Sequence, residues 1–395
     1  MNNKDLEYIF SNIDTSQMNI YKKIPTLNTM KQYVNKAKKY GFNFEEGIGK
    51  GNQKTLTLKR LDGTVIGEVK NMKYPNNTQE SLELVHDKIT TEKYLNLANI
   101  DTTNSTVYNE NEMEKAKSDF YNEENKLAVI KPTNMSQGKG VNAGVSESNF
   151  EHYWLDTISQ IKIAGRKNVN LIVQDYIQGF EARAVVIEGK LISIVARVPA
   201  YILGNGKDTV SRLVNQKNTK RKRCAHLIKR PIELDEKKIR FIKRYGMTST
   251  SVPEKGQYVL LSSISNISNG GEMIDITDAV SDEIKMIAIN SVAAIPGMYS
   301  GGVDIMMKDF EDVTPRIIEI NAWPMLQSTI YPTYGKACDP QGYFLNSYYA
   351  MDQFINNPNQ LYNIENKDSY IRNFMEFQKL KIKLQGLQIT NSLNL

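Results

Sequence analysis

Three apolar segments that follow one another across short turns constrain the fold of this chain more than any other feature. We predict strands over residues 169–177, 182–187 and 191–197, the last two joined by the turn Glu188-Gly189. Strands joined by so few residues pair as antiparallel neighbours. With the helical segments that flank them, they predict a mixed antiparallel sheet and an α+β fold.

Helix and strand patterns continue on both sides of this sheet. Apolar residues recur at helical spacing or alternate at strand spacing, and capping residues and glycines mark the ends of the elements. The predicted elements are a helix over 28–40 that Gly41 ends, a hairpin over 55–70 that turns at Leu61-Asp62-Gly63, helices over 77–97, 109–121, 148–163, 281–295 and 370–384, and short strands over 127–130, 141–145, 303–307 and 317–320.

Composition predicts a folded protein without a disulfide framework, a zinc site or a membrane segment. The chain has 395 residues, enough for two or three packed units, and its formal charge of +6 favours anionic ligands without requiring nucleic acid. Two cysteines and three histidines exclude a disulfide framework and a Cys/His zinc site. The acidic N-terminal segment and the lack of an apolar run of ~18 residues predict a protein of the reducing cytoplasm, neither exported nor embedded in a membrane.

A basic cluster interrupts a polar segment in the second half of the chain. It consists of Lys217, Lys220, Arg221, Lys222 and Arg223. Most clusters of this kind are solvated connectors, and that is the first interpretation. The alternative is a contact with an anionic partner, either a substrate or a carrier protein.

A lysine at the end of a short apolar strand is the first candidate functional residue. Lys131 follows the strand over 127–130 and precedes a polar loop, residues 132–140, that contains two glycines. A fixed cation beside exposed backbone N–H groups suits a triphosphate. A plain surface hairpin is the alternative. The loop lacks the Walker pattern, and the segment after Gly140 reads as a strand, which argues against a dinucleotide fingerprint.

Oxygen-bearing side chains on the two closing strands form the second candidate group. Glu319 and Asn321 are two residues apart, so in a strand they lie on the same face, and an antiparallel neighbour can bring Asp304 opposite them. Hard oxygen donors without a nearby His or Cys suit Mg²⁺. The alternative is that each acid lies at a strand end in solvent, but the apolar flanks argue against it.

The third group lies around the strand over 182–187. A purine needs an apolar slot with polar groups at its edge, near Gln174, and a ribose needs a carboxylate acceptor, a role that suits Glu181. Arg183, Arg197 and Lys207 lie on or after the adjoining strands and could stabilise charge on a transferred phosphoryl group. The alternative for each is an ordinary surface cation.

The order of the motifs resembles that of ATP-grasp ligases. Within that superfamily the chain is most similar to the ATP-grasp regions of cyanophycin synthetase and of the bifunctional glutamate-cysteine ligase and glutathione synthetase, over about residues 84–332. The motifs are, in order, HDKITTEKYL, AVIKPTNMSQGKGV, VQDYIQGFEARAVVIEGKL, RVPAYILGNGKDTV, SNISNGGEMIDITD, GGVDI and IIEINAWP.

The resemblance implies a function for each matching position. ATP would be held by Lys88 and Lys131, by the mobile lid Gln137, Gly138, Lys139 and Gly140, by Gln174 and Ile177 at the adenine edge, and by Glu181 on the ribose. Two Mg²⁺ ions, or Mn²⁺ as the alternative, would bind Asp304, Glu319 and Asn321, with Arg197 near the transferred phosphate and Asn266 on the substrate side. Gln174 departs from the family, in which this position is usually Glu.

The resemblance also implies an architecture. Two α+β subdomains would clasp ATP in an ATP-grasp domain over residues 84–335, with a lid subdomain over about 120–180. A small N-terminal α/β domain, residues 1–83, and a C-terminal helical tail, residues 336–395, would flank it.

The implied reaction joins a small carboxylate substrate to an amine. The carboxylate attacks the γ-phosphate of ATP, ADP leaves, and the amine displaces phosphate from the acyl phosphate to give an amide. The alternatives are transfer to a carrier-protein thiol, phosphorylation of a hydroxyl, and a non-catalytic nucleotide-binding module. No nucleic-acid or membrane partner is expected, and a homo-oligomer is left open.

Overall fold

The computed structural model of the chain describes residues 1–21, 28–70, 73–123, 126–133, 135, 139–224, 227–263, 265, 267–356 and 362–393. The elements of the first half are, in chain order, α1 (Asn3–Ser11), α2 (Thr29–Tyr40), β1 (Asn43–Ile48), β2 (Lys54–Lys59), β3 (Val65–Lys70), α3 (Gln79–His86), α4 (Lys88–Leu97), β4 (Thr106–Asn109), α5 (Met113–Phe120), β5 (Ala128–Pro132), β6 (Asn142–Val145), α6 (Phe150–Ile163) and β7 (Asn170–Asp175). Those of the second half are β8 (Phe180–Ile187), β9 (Lys190–Val198), β10 (Tyr201–Leu203), α7 (Val210–Arg221), α8 (Glu236–Lys243), β11 (Tyr258–Leu260), β12 (Glu272–Asp275), α9 (Asp282–Ala294), β13 (Ser300–Met307), β14 (Arg316–Asn321), α10 (Gln327–Ile330), α11 (Pro340–Asn356) and α12 (Lys367–Leu393).

A five-stranded antiparallel sheet forms the centre of the molecule, in the order β12-β9-β8-β13-β14. Alternate residues of β8, among them Ala182 and Ala184, belong to the apolar core that this sheet shares with α9. Because side chains alternate across a strand, Glu181 and Arg183 lie on the opposite face. The predicted antiparallel sheet and α+β fold are confirmed, and one face of the sheet carries charge.

A smaller sheet, β4-β7-β5-β6, packs with α5 and α6 around a second core. Ile130 of β5 and Trp154 of α6 belong to that core. Lys131 is the next residue along β5, and Gln174 lies on the neighbouring strand β7 opposite Val129. The alternation therefore places Lys131 and Gln174 on the face that α6 does not cover.

The segments at the two ends of the chain share a third core. Leu56 and Leu58 of the predicted hairpin, which is confirmed and extended by β1, pack with Phe344 and Tyr349 of α11. Helix α12 contacts α9 and α4. The N-terminal hairpin and the C-terminal helix α11 bury their apolar surface together. The proposed domain boundaries at residues 83 and 335 remain a prediction.

Two predicted helices differ from the structure. The helix over 77–97 is wrong as a single element, since α3 ends at His86 and the Asp87 carboxylate accepts a 2.7 Å hydrogen bond from Thr90 N to begin α4. The helix predicted to start at Asn109 begins at Met113, and Asn109 ends the strand β4, which pairs with β7. Asp and Asn side chains start helices and end strands with similar hydrogen bonds, so their sequence signals overlap.

The interpretation of the basic cluster as a solvated connector is wrong for two of its members. The cluster lies on and just after α7, and the Lys217 and Arg221 nitrogens lie 3.2 and 3.1 Å from Glu272 Oε1. Arg221 and Glu272 are each 1% exposed. These two cations therefore anchor α7 to the central sheet through Glu272 on β12.

No helix in the described ranges combines the length and the apolar character that a bilayer span requires.

Candidate active site

The charged face of the central sheet brings together the three predicted metal ligands. Asp304 on β13 is directly opposite Glu319 on β14, and Gly302 is opposite Asn321. Asn321 Nδ2 donates a 2.8 Å hydrogen bond to Glu319 Oε1, which leaves the Asn321 amide oxygen as an acceptor. The antiparallel pairing predicted from the spacing of these residues is therefore present.

Arg183 and Asp304 form a bidentate ion pair at the centre of this face. Arg183 on β8 is opposite Asp304, and its Nε and Nη2 donate to Oδ1 and Oδ2, each at 2.6 Å. Burial would raise the pKa of Asp304, but the positive charges of Arg183 and Arg197 outweigh it and hold that pKa below its usual range. Asp304 is therefore ionised at neutral pH.

Arg197 and Glu181 are paired on the neighbouring strands β9 and β8. Arg197 Nη1 donates to Glu181 Oε1 and lies 3.4 Å from Asp304 Oδ2. Desolvation of Glu181 raises its pKa, although the Arg197 charge acts in the opposite direction. The predicted phosphate-side arginine and the predicted ribose carboxylate thus neutralise each other in this structure.

Lys88 and Lys131 approach Glu319 from two other elements. Lys88 is the first residue of α4, and its Nζ lies 3.6 Å from Glu319 Oε2. Lys131 is 6% exposed, and burial together with the positive charge of Lys88 lowers its pKa to about 7. The negative charges of Glu92 and Glu319 partly oppose that shift. Both predicted ATP lysines therefore lie within electrostatic reach of Glu319.

Sequence reasoning missed Glu92, which organises the polar wall behind Lys131. Its carboxylate accepts hydrogen bonds from Thr103 Oγ1 at 2.8 Å and from Ser105 N at 2.8 Å, and Ser105 Oγ lies 2.6 Å from Glu92 Oε1 and 3.2 Å from Gln174 Oε1. Glu92 is one helical turn after Lys88 on α4. The sequence signal that could have identified Glu92 is its position four residues after Lys88, on the same face of the helix.

The remaining predicted ATP ligands that the structure describes lie in loops and turns. Ile177 is half-buried and lies two residues beyond β7, while Lys139 is exposed. Gly140 has a left-handed φ of 70°, and a side chain there would meet Pro132 at 2.9 Å, so this turn requires glycine. Three predicted site residues, Gln137, Gly138 and Asn266, lie outside the described residues.

The side-chain donors Asp304, Glu319 and Asn321 suit a hard cation. Within the described ranges no group of three or more His, Cys, Asp and Glu side chains is arranged as a ready metal site. Asp304, Glu319 and Asn321 nevertheless lie side by side and offer only oxygen, the donor that Mg²⁺ prefers when phosphate supplies its other ligands. Both Asp304 oxygens accept from Arg183, so Glu319 and Asn321 are the more available ligands.

Comparison with known proteins agrees with this geometry. Residues 85–325 match the ATP-grasp domain family. The chain is 34% identical over 222 residues to the glutathione biosynthesis bifunctional protein GshAB of Enterococcus faecalis, which covers 54% of this chain and 28% of that protein. It is 30% identical over 213 residues to cyanophycin synthetase of Nostoc sp., covering 52% of this chain and 23% of that protein.

Similarity extends to a solved structure. The crystal structure of a bifunctional glutathione synthetase from Pasteurella multocida superposes with a TM-score of 0.60 at 28% identity, covering 81% of this chain and 43% of that one. The chain thus spans less than a third of the two curated relatives and less than half of the solved one. By its fold and by the match over residues 85–325, this chain belongs to the ATP-grasp domain family.

Proposed function

We propose that this protein is an ADP-forming carboxylate–amine ligase of the cytoplasm. The observation that carries the proposal is the grouping of Lys88 from α4 and Lys131 from β5 around Glu319 on β14, which pairs with Asp304 on β13. Cations from two elements beside carboxylates on two paired strands suit a metal-bound triphosphate. The relatives named above are a glutathione biosynthesis protein and a cyanophycin synthetase.

The chain's own residues supply orientation and charge. Lys88 and Lys131 would contact the phosphates, Gln174 and Ile177 the adenine edge, and Glu181 the ribose. Glu181 would become available if Arg197 turned from it toward the phosphoryl group. Arg183, whose Nη2 lies 3.9 Å from Glu319 Oε1, would contact the same group. The substrate carboxylate attacks the γ-phosphorus, the bond to the bridging oxygen breaks, and ADP leaves with the electron pair. The amine then attacks the acyl carbon, loses a proton and expels phosphate.

The candidate site fits Mg²⁺ because the donors that its acidic and amide side chains offer are all oxygen. Glu319, Asn321 and Asp304 would hold one or two such ions, with Mn²⁺ as the substitute. When bound, Mg²⁺ neutralises phosphate charge that would otherwise repel an anionic nucleophile. On the sequence resemblance alone, we also propose that residues 137–140 cover the phosphates as a lid and that Asn266 lies on the substrate side.

The test is a partner-dependent assay of ATP turnover. Protein, Mg-ATP and pools of amino acids should yield ADP and phosphate only when both a carboxylate and an amine are present. The variant Lys131→Gln should lose this activity, whereas Lys162→Gln, on the outer helix α6 and more than half exposed, should retain it. Production of AMP and pyrophosphate, or of a stable phosphate ester, would contradict amide ligation.

A further inference from the structure

Positive charge is concentrated in one part of the molecule. Residues 201–261, which include β10, β11, α7 and α8 and which we call the basic subdomain, contain 15 Lys and Arg against five Asp and Glu. The whole chain has a formal charge of +6, so this subdomain, at +10, holds more than the entire net charge. A field of one sign confined to one surface attracts an oppositely charged partner to it.

Most of these cations form no ion pair with an acidic side chain of the described residues. Ion pairs with acidic side chains involve Arg212, Lys217, Arg221 and Lys238. The exposed or half-exposed cations that form none with any carboxylate in the described structure include Lys222, Arg223, Lys229, Lys237, Arg240 and Arg244. Lys237 and Arg240 on α8 and Arg244, the residue that caps its C-terminal end in helical conformation, recur at helical spacing and so share one face.

The basic subdomain is fixed to the sheet that carries the candidate active site. Strand β10 begins four residues after Arg197, with no intervening element. Glu272 on β12 accepts a 2.9 Å hydrogen bond from Tyr201 Oη and a 3.1 Å hydrogen bond from Arg221 Nη1. A partner held on this subdomain is therefore held beside the strand on which Arg197 lies.

The extent and chemistry of the surface identify the partner class. Helix α7 is about 18 Å long and α8 about 12 Å, a span that matches a chain of repeated charges better than one amino acid. Ile228 is 50% exposed among the cations, an aliphatic contact suited to a polypeptide. Polypeptides also carry the carboxylates and amines that amide ligation uses, which a nucleic-acid backbone lacks.

We propose that the basic subdomain docks an acidic polypeptide, one of the two substrates of the ligation. This rests on the proposed function, but the docking is measurable without catalysis. The whole chain is titrated into fluorescein-labelled octaglutamate, without ATP, and anisotropy is recorded at two salt concentrations. We expect saturable binding that weakens with salt. In the triple variant Lys237→Gln/Arg240→Gln/Arg244→Gln it should weaken by about tenfold.

A matched variant separates the location from the charge. Arg372→Gln/Lys379→Gln/Lys383→Gln removes the same charge from the exposed face of α12 and should leave binding within about twofold, with unchanged thermal unfolding in both variants. Equal weakening by the two variants, or tighter binding of an eight-nucleotide RNA than of octaglutamate, would overturn the docking proposal. If amino acids support ADP release but octaglutamate does not bind, only this inference fails; if octaglutamate binds but no ADP forms, only the ligase proposal fails.

Discussion

Arg183 encloses the Asp304 carboxylate with two 2.6 Å hydrogen bonds, whereas Glu319, directly opposite Asp304 on the next strand, contacts Lys88 at 3.6 Å. The Asp304 side chain is 3% exposed and that of Glu319 is 31% exposed. Two carboxylates in one register pair therefore have different surroundings. The first holds a buried cation in place, and the second is partly exposed to solvent.

This difference predicts that two similar substitutions have the same effect on turnover but different effects on stability. Glu319→Gln should abolish ATP turnover and leave the free energy of unfolding nearly unchanged, because it removes an anionic ligand from an accessible position. Asp304→Asn should also abolish turnover but destabilise the fold by about 3 kcal/mol, because Arg183 loses its buried partner. Urea unfolding and ADP release check both. Normal turnover by Glu319→Gln would contradict the metal assignment.

Because the pKa of Lys131 is lowered, we expect nucleotide binding to be coupled to proton uptake. Burial and the Lys88 charge lower its pKa to about 7, so at about pH 8 most Lys131 is neutral in the free protein. Phosphate charge favours the protonated form, so binding takes up a proton and ATP affinity falls by up to about tenfold per pH unit above pH 7.

Calorimetry in buffers of different ionisation enthalpy measures that uptake directly. The control is Lys131→Arg, which stays charged throughout this range and should bind ATP without proton uptake. Identical proton uptake by Lys131→Arg and the unsubstituted protein would show that another group titrates.

Most strands, and the side chains that share a face within one strand, could be predicted from sequence, because both depend on the order of residues within a short segment. Glu319 and Asn321 lie two apart, so their common face follows from strand geometry alone. The pairing of Asp304 with Arg183 did not follow, because it depends on which strand lies next to β13 in the sheet. Register between distant strands is a tertiary property.

The missed elements share a physical reason. Helix α1 is only nine residues long, and α12 continues with a weak pattern beyond its predicted end at residue 384, so the positions of both depend on packing against the central core. Glu92 was passed over because an acidic residue in a helix is usually solvated, and its burial depends on Thr103 and Ser105 after the helix. The Lys217 and Arg221 contacts required Glu272, about 50 residues further along the chain.

We expect Lys381 to stabilise the fold through its contacts at the C-terminal end of α9. It is 4% exposed on α12, and its Nζ donates to the carbonyl oxygens of Ala293, Ile295 and Met298 at 3.3, 2.8 and 2.8 Å. Lys381→Met keeps the apolar stem but leaves these buried acceptors unpaired, so we expect a loss of about 3 kcal/mol in urea unfolding. Lys379→Met, exposed on the same helix, should change stability by under about 0.5 kcal/mol. Equal stability of the two variants would refute this role.

Because the Glu188 carboxyl is buried, we expect the protein to lose stability as pH rises toward the neutral range. Its carboxyl, 1% exposed in the turn between β8 and β9, accepts a 2.5 Å hydrogen bond from Asn76 Nδ2, and burial raises its pKa to about 7. The folded state therefore keeps a proton that the unfolded state releases above about pH 4.5, so the stabilisation present at low pH disappears as pH approaches 7. Glu188→Gln should remove this slope, gaining up to about 3 kcal/mol relative to the unsubstituted protein between about pH 5 and pH 8. Denaturant unfolding at both pH values measures it, with the exposed Glu376→Gln as control; parallel pH profiles for all three proteins would mean that Glu188 does not carry the proton.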